Sequence, residues 1–95
     1  MIEIMRFRLA AGADVEAFRE ADKAVQGRFA YQQEGLLRRT TAVDRDGAWI
    51  VIDLWQSGKA ADAADARWGK DPVTAAFMSF IDPASVSTER YAELG

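Results

Sequence analysis

Hydrophobic and polar residues recur with different periods along the chain, and these periods predict the order of its elements. Residues 2–9 are rich in β-branched and large apolar side chains and precede a break at Gly12, which is typical of a strand. Residues 15–33 carry an apolar stripe at helical spacing and predict a helix that ends before Gly35. The stripe consists of Val15, Phe18, Val25 and Phe29. Asp14 has the side chain and the position of the N-cap of this helix.

The middle of the chain predicts a hairpin with arms at residues 36–43 and 48–55, joined by a turn at residues 44–47. Gly47 supplies the positive φ that such a turn uses. The second arm is apolar on both sides. One side carries Ala48, Ile50, Ile52 and Leu54, and the other carries Trp49, Val51, Asp53 and Trp55. A strand with one solvent-facing side alternates apolar and polar residues, so we expect this strand to be covered on both sides.

An Ala-rich helix follows, with Ser57 as its N-cap. Its thin apolar stripe consists of Ala60, Ala61, Ala64 and Trp68. Asp71 and Pro72 restart or kink the helix, because Asp at the N-cap and Pro at the first helical position are a preferred pair. The restarted segment has a clear helical period at Val73, Ala76, Phe77, Phe80 and Ile81. Residues 85–94 predict the last strand.

The order β-α-β-β-α-β in 95 residues predicts one domain over residues 1–95 with the ferredoxin-like α+β fold. In this fold an antiparallel sheet carries two helices on one face, so the second apolar side of the strand at residues 48–55 needs another cover. A second copy of the chain supplies it in a homodimer, and the alternative is a monomer with an exposed apolar patch. We expect the dimer interface to contain Ile2, Ile4, Trp49, Val51, Asp53 and Trp55.

Composition and charge exclude several classes of function. The net charge of −3 argues against nucleic acid as a partner, because phosphate binding needs a basic surface. The chain has no Cys and no His, which excludes a thiolate nucleophile, an imidazole base and a zinc site of the usual ligands. No apolar run is long enough to cross a membrane, and no export signal opens the sequence. We therefore expect a cytoplasmic protein without a membrane partner.

Residues 49–82 resemble the antibiotic-biosynthesis-monooxygenase-like proteins, a group of dimeric α+β barrels. The resemblance lies in an apolar strand ending in Trp55, then Ser57, an Ala-rich helix, the run from Asp71 to Val73 and the aromatic Phe77. It implies a homodimer that holds a small apolar or aromatic ligand between the sheet and the helices of each subunit. Some members oxidise polyketide-type quinols or anthrones with O₂ and no cofactor, others degrade haem, and many have no established activity.

The resemblance also allows a comparison with the haem-degrading branch, which uses an Asn on the first strand, a Trp in the second helical region and a His ten residues later. Trp68 matches the Trp, but Phe7 stands at the Asn position and Met78 at the His position. The axial imidazole is therefore missing, and one thioether is a poor replacement. We expect neither haem degradation nor a bound metal or cofactor.

Two carboxylates are candidates for chemistry inside an apolar cavity. Asp22 lies on or beside the buried stripe of the first helix, where a desolvated carboxylate acts as a base or hydrogen-bond acceptor. The alternative is an ordinary ion pair with Arg19, one turn away. Asp53 is flanked on its own side of the strand by Val51 and Trp55. It either has a catalytic role or, as we favour, pairs across strands or across subunits with one of the arginines Arg6, Arg8, Arg38 and Arg39.

The aromatic residues leave the cavity itself open to two interpretations. Five apolar side chains either line a ligand pocket or fill the same space as an ordinary core: Phe7, Phe18, Trp68, Phe77 and Met78. Two functions therefore remain. The first is a dimeric barrel that binds a small apolar or aromatic molecule, and the second is a cofactor-independent monooxygenase acting on an aromatic or polyketide-type quinol.

Overall fold

Four strands pair into one antiparallel sheet in the order β2-β3-β1-β4, as seen in a computed structural model that describes all 95 residues. The strands are β1 (Ile2–Phe7), β2 (Leu36–Val43), β3 (Trp49–Trp55) and β4 (Ser87–Tyr91). The three helices are α1 (Val15–Arg28), α2 (Gly58–Trp68) and α3 (Pro72–Met78). This is the ferredoxin-like α+β fold that the sequence predicts, with the second helix divided in two. None of the helices has the length and apolar character needed to cross a membrane.

The helices begin where the sequence predicts. The Asp14 carboxylate accepts hydrogen bonds from the backbone N–H groups of Glu16 and Ala17. Ser57 and Asp71 cap α2 and α3 in the same way. Each cap satisfies N–H groups that have no partner inside the helix. The break before α3 is therefore a true restart with its own cap, and not a kink in one continuous helix.

Three elements are shorter than predicted. β1 ends at Phe7, and Leu9 makes only an isolated bridge to Ile81. α1 ends at Arg28 because the chain then turns inward through a short 3₁₀ turn, Ala30–Gln32, whose first residue is buried. A second 3₁₀ turn, Pro83–Ser85, delays the start of β4.

The pairing register assigns each strand residue to one of two faces. Met5 lies opposite Val51, and Phe7 lies opposite Trp49, on the face that the helices cover. The buried core on this face consists of Phe7, Phe18, Val25, Val51, Phe77 and Ile81. Ile4 lies opposite Ile52 on the other face, which no helix covers. We call this uncovered side the open face; it carries Ile2, Ile4, Ile50, Ile52, Leu54 and Tyr91.

The register corrects the predicted dimer interface. Ile2 and Ile4 lie on the open face, as an interface requires. The other four predicted residues face the helices: Trp49, Val51, Asp53 and Trp55. Val51 is 5% exposed and Trp55 is 4% exposed, so the chain itself already covers them. The prediction is wrong for these four residues because a strand that is apolar on both sides does not reveal which side its own helices cover.

Gly35, just before β2, provides a test of how closely α2 approaches the sheet. It has a φ of +87°, and a Cβ built there would lie 2.6 Å from the Ala60 Cβ. We expect Gly35→Ala to lower the free energy of unfolding by about 2–4 kcal/mol, through backbone strain and the clash with α2. Urea denaturation measures this change.

Gly27→Ala is the matched control because a Cβ at this helical position has no neighbour within 4 Å. It should stabilise the protein by about 0.5–1 kcal/mol, and equal effects at the two positions would contradict this account.

Candidate functional site

A cavity of about 260 Å³ lies between the helix-facing side of the sheet and the helices. It is bounded by β1, β2 and β3, by the inward turn that follows α1, and by α2 and α3. The apolar lining consists of Met5, Phe29, Ala30, Leu36, Val51, Trp55, Ala64, Trp68, Phe77, Met78 and Val86. Its volume is just below the range of about 300–1,000 Å³ that is typical of ligand pockets, so it suits a molecule of one or two rings.

Aromatic rings form one wall of the cavity and hold one another in place. The Trp68 ring contacts Phe29 edge-to-face at a centroid distance of 5.4 Å and Phe77 at 5.7 Å. Such edge-to-face pairs are favourable because the positive edge of one ring meets the negative face of the other. The wall is therefore fixed by mutual packing and does not need a ligand to hold its shape.

A row of four charged residues crosses the helix-facing side of the sheet, one on each strand. Arg39 on β2 lies opposite Asp53 on β3, Asp53 lies opposite Glu3 on β1, and Glu3 lies opposite Arg90 on β4. We call these four residues the charged row. Three of them, Arg39, Asp53 and Glu3, line the cavity. The two carboxylates are neighbours in the middle of the row, and the two guanidinium groups are at its ends.

The Arg39 guanidinium does not pair with the neighbouring Asp53. Its Nη2 instead donates to Asp22 Oδ1 on α1 at 2.8 Å, and its Nη1 donates to Gln26 at 3.3 Å. The guanidinium carbon also lies 5.8 Å from the centroid of the Phe77 ring. The Arg39 side chain is only 2% exposed, and it joins the sheet to α1 through its contact with Asp22.

Asp53 therefore remains without a cationic partner in contact. Its Oδ1 is buried and has no hydrogen-bond partner. Burial raises the pKa of Asp53 to about 6; the nearby Arg39 lowers this pKa, while the carboxylates of Glu3, Asp65 and Asp22 add to the rise. A carboxyl group with such a pKa changes protonation state near neutral pH, so Asp53 has the properties of a general base or a hydrogen-bond acceptor.

Arg90 at the other end of the charged row holds three carboxylates. It donates to Glu3 at 2.9 Å, to Asp62 at 2.6 Å and to Asp65 at 2.7 Å, and so ties β4 and β1 to α2. Burial raises the pKa of Glu3 in spite of this contact with Arg90. Asp65 and Thr88 line the cavity yet are exposed, so the cavity opens to solvent between α2 and β4.

Asp53 and not Asp22 is the candidate base in the structure, because only Asp53 lines the cavity. Asp22 does not line the cavity, since Arg39 and the Thr41 hydroxyl bind its carboxylate from β2. The alternative pairing with Arg19 is also wrong, because Arg19 lies 3.5 Å from Glu16 instead. Within the chain no arginine contacts Asp53, and the alternative of an arginine from a second subunit stays a prediction. Both errors have one cause: the direction taken by the Arg39 side chain is set by α1, which is remote in sequence.

The five predicted pocket residues divide into two groups. Trp68, Phe77 and Met78 line the cavity. Phe7 and Phe18 do not; they pack against each other at 5.8 Å and belong to the buried core. The indole of Trp55 also lines the cavity, although the sequence did not predict it there, and its buried Nε1 has no hydrogen-bond partner. Trp55 lies on the same side of β3 as Asp53, and this shared side could have identified it as a cavity residue.

The site combines an enclosed apolar volume with one unpaired acceptor, Asp53, and one unpaired donor, Trp55 Nε1. Unpaired polar atoms are uncommon in protein interiors and are frequent where a ligand binds. Nowhere in the chain do three or more acidic side chains converge in a way that could hold a metal ion. The arrangement can bind a small ring-containing molecule and accept a hydrogen bond or a proton from it.

Comparison with known proteins shows the fold. The chain matches no protein-family model and no curated protein sequence. It is similar in structure to SnoaB from Streptomyces nogalater, a cofactor-independent oxygenase, with a TM-score of 0.79 and 20% identity over 99% of this chain and 93% of that one. A proposed antibiotic biosynthesis monooxygenase from Nitrosomonas europaea gives a TM-score of 0.75 and 15% identity over 99% and 98% of the two chains. The fold that the resemblance implies, that of antibiotic-biosynthesis-monooxygenase-like proteins, is thereby confirmed.

The unpaired state of Asp53 has a measurable cost for stability. Its folded-state pKa of about 6 is higher than the ordinary value of 3.8, so the folded protein binds more protons than the unfolded chain between these values. Stability therefore falls as pH rises from about 4 to about 6 and then stays level with respect to this group. We expect Asp53→Asn to raise the free energy of unfolding by about 2 kcal/mol at pH 7.5, and this gain should shrink towards zero at pH 4.

Urea denaturation at several pH values measures the effect of Asp53→Asn. Asp46→Asn is the matched control, because Asp46 is exposed in the β2–β3 turn and far from the cavity in the sheet. The control removes one negative charge and should show no such pH dependence. A destabilised Asp53→Asn variant at pH 7.5, or a gain that is equal at pH 4 and pH 7.5, would contradict the assigned environment of Asp53.

Proposed function

We propose that this protein binds one small, mostly aromatic molecule in the cavity between the sheet and the helices, with Asp53 as the group that orients it. The observation that carries the proposal is the buried, unpaired Asp53 Oδ1 inside a mostly apolar, aromatic-walled volume of about 260 Å³. A buried carboxylate without a partner is unfavourable, and a ligand with a hydrogen-bond donor relieves this cost when it binds.

The second candidate is a cofactor-independent monooxygenase acting on a phenolic substrate such as a quinol. The observation that favours it is the raised pKa of Asp53, about 6, which suits a general base near neutral pH. Asp53 would take the proton of a phenol hydroxyl, while the electron-rich ring supplies the electrons that reduce O₂. The shared fold of SnoaB, described as a cofactor-independent oxygenase, is consistent with this chemistry.

We also propose that two copies of the chain form a homodimer through the open face. The central residue of this face, Ile52, is 37% exposed and has Ile4 beside it on β1. Isoleucine side chains grouped on an uncovered sheet face favour burial against a matching apolar surface. A second copy offers that surface about a two-fold axis. The proposed interface keeps Ile2 and Ile4 from the sequence prediction and replaces the other four residues with Ile50, Ile52 and Leu54.

The ligand proposal predicts that the protein retains an aromatic molecule at one copy per chain. Native mass spectrometry against a panel of quinols, anthrones and haem tests this prediction, and we expect a quinol of one or two rings to bind. Ala64→Leu places a larger side chain in the cavity and should abolish binding. Ala63→Leu is the control on the same helix, because Ala63 is exposed, and it should bind as the wild type does. Circular dichroism establishes that both variants are folded.

The same panel separates binding from oxygenation. If the protein is a monooxygenase, a bound quinol or anthrone is consumed together with O₂, and Asp53→Asn lowers the rate by about 100-fold or more. Binding without O₂ uptake supports the first candidate and rejects the second. Failure of every aromatic compound to bind, with the protein folded, would contradict both.

The dimer proposal predicts a sedimentation mass of twice that of one chain at micromolar concentration. Ile52→Lys places a charge at the centre of the open face and should shift the protein to a single chain. Val15→Lys is the control, because Val15 is 47% exposed at the start of α1, and it should leave the dimer intact. A wild-type protein that sediments as one chain would refute the proposed interface.

A further inference from the structure

The charges that line the cavity are unbalanced. Three carboxylates line it, Glu3, Asp53 and Asp65, against one guanidinium, that of Arg39. Asp22 contacts Arg39 from α1, and Arg90 contacts Glu3, Asp62 and Asp65 from β4. Two further cations contact lining residues: Arg67 donates to Gln33, and the N-terminal ammonium donates to the Trp55 carbonyl. Five carboxylates therefore face four cations, and the net charge nearest the cavity is negative.

Both guanidinium groups donate to partners other than Asp53. Arg39 is paired with Asp22 at 2.8 Å, and Arg90 divides its donors among three carboxylates. Asp53 is the one carboxylate of the five that no guanidinium contacts. A positive group that enters the cavity would meet a carboxylate that no cation of the protein contacts directly.

The aromatic wall of the cavity also suits a positively charged group. Phe29, Trp68 and Phe77 line the cavity together with Asp53. The faces of aromatic rings carry negative charge and attract cations within about 6 Å of the ring centroid. Phe77 already has such a neighbour, since the Arg39 guanidinium lies 5.8 Å from its centroid.

We propose that the cavity selects an aromatic ligand that carries a positively charged nitrogen, with the ammonium group directed at Asp53 and the ring against the Trp68 wall. This inference rests on the proposed function, because it specifies the chemical class of the ligand that the cavity takes. A carboxylate ligand is disfavoured by the surrounding negative charges. A neutral hydroxyl can donate to Asp53, but it leaves the charge of Asp53 without compensation.

Three ligands of nearly equal shape test the inference: 2-(1-naphthyl)ethylamine, 2-(1-naphthyl)ethanol and 1-naphthylacetate. They present an ammonium, a hydroxyl and a carboxylate on the same ring system at pH 7.5. Isothermal titration calorimetry of the full chain measures the three affinities. We expect the amine to bind at least about tenfold more tightly than the alcohol, because hydrogen bonds between charged groups are the stronger ones, and the acetate to bind most weakly.

Two variants identify the group that is responsible. Asp53→Asn keeps the shape of the side chain and removes its charge, so the preference for the amine over the alcohol should fall to about threefold or less. Asp46→Asn removes one negative charge from the exposed β2–β3 turn and should leave the preference unchanged. A preference that survives in Asp53→Asn, or that falls equally in both variants, would assign it to overall charge and overturn the role of Asp53.

The pH dependence of binding gives an independent measurement. The groups that face Asp53 are Arg39 from β2, Glu3 from β1, Asp65 from α2 and Asp22 from α1. An ammonium ligand binds the ionised form of Asp53, so its affinity should decrease as pH is lowered through about 6, the pKa of Asp53, and this decrease should be absent in Asp53→Asn. An amine affinity that is constant between pH 7.5 and pH 5 would contradict the inference.

The outcomes separate this inference from the proposed function. Equal binding of the amine and the alcohol, or tighter binding of the alcohol, overturns the charge selectivity and leaves an aromatic-binding cavity in place. If none of the three naphthyl ligands binds and the quinols and anthrones do not bind either, both the inference and the proposed function fail.

Discussion

The Arg39 guanidinium contacts Asp22 on α1 at 2.8 Å, although the Arg39 backbone pairs with Asp53 on the neighbouring strand. This buried contact joins the sheet to α1 and at the same time leaves Asp53 without a partner. Burying an arginine is costly unless its charge is compensated, and Asp22 and Gln26 provide that compensation. Asp53 is left unpaired in the cavity because Arg39 binds Asp22 instead.

The charged row and the aromatic wall act together to define a site. The wall provides a mostly apolar volume that limits the screening of the carboxylates by water, and the row places two of these carboxylates side by side on neighbouring strands. Arg90 compensates Glu3 but not Asp53. An uncompensated carboxylate in a cavity of ligand size is better explained by binding than by stability, because a well-packed apolar residue would stabilise the fold more.

Several features of the site were predictable from the sequence. The helical periods include Trp68 and Phe77, and the family resemblance pointed to Met78; the structure finds all three in the wall of the cavity. The strand pattern showed that Asp53 lies among apolar residues, which is the reason for its raised pKa. The partner of Asp22 was not predictable, because Arg39 is seventeen residues away and its side chain could equally have reached Asp53.

The sequence by itself determined the order of the elements, the helix caps at Asp14, Ser57 and Asp71, and the apolar character of both sides of β3. These features depend on local hydrogen bonds and on hydrophobic periods, which are set by residues close together in the sequence. Only the tertiary structure decided which side of β3 the helices cover, and which of two carboxylates Arg39 binds. Both choices depend on contacts between remote segments, whose energies the local pattern does not contain.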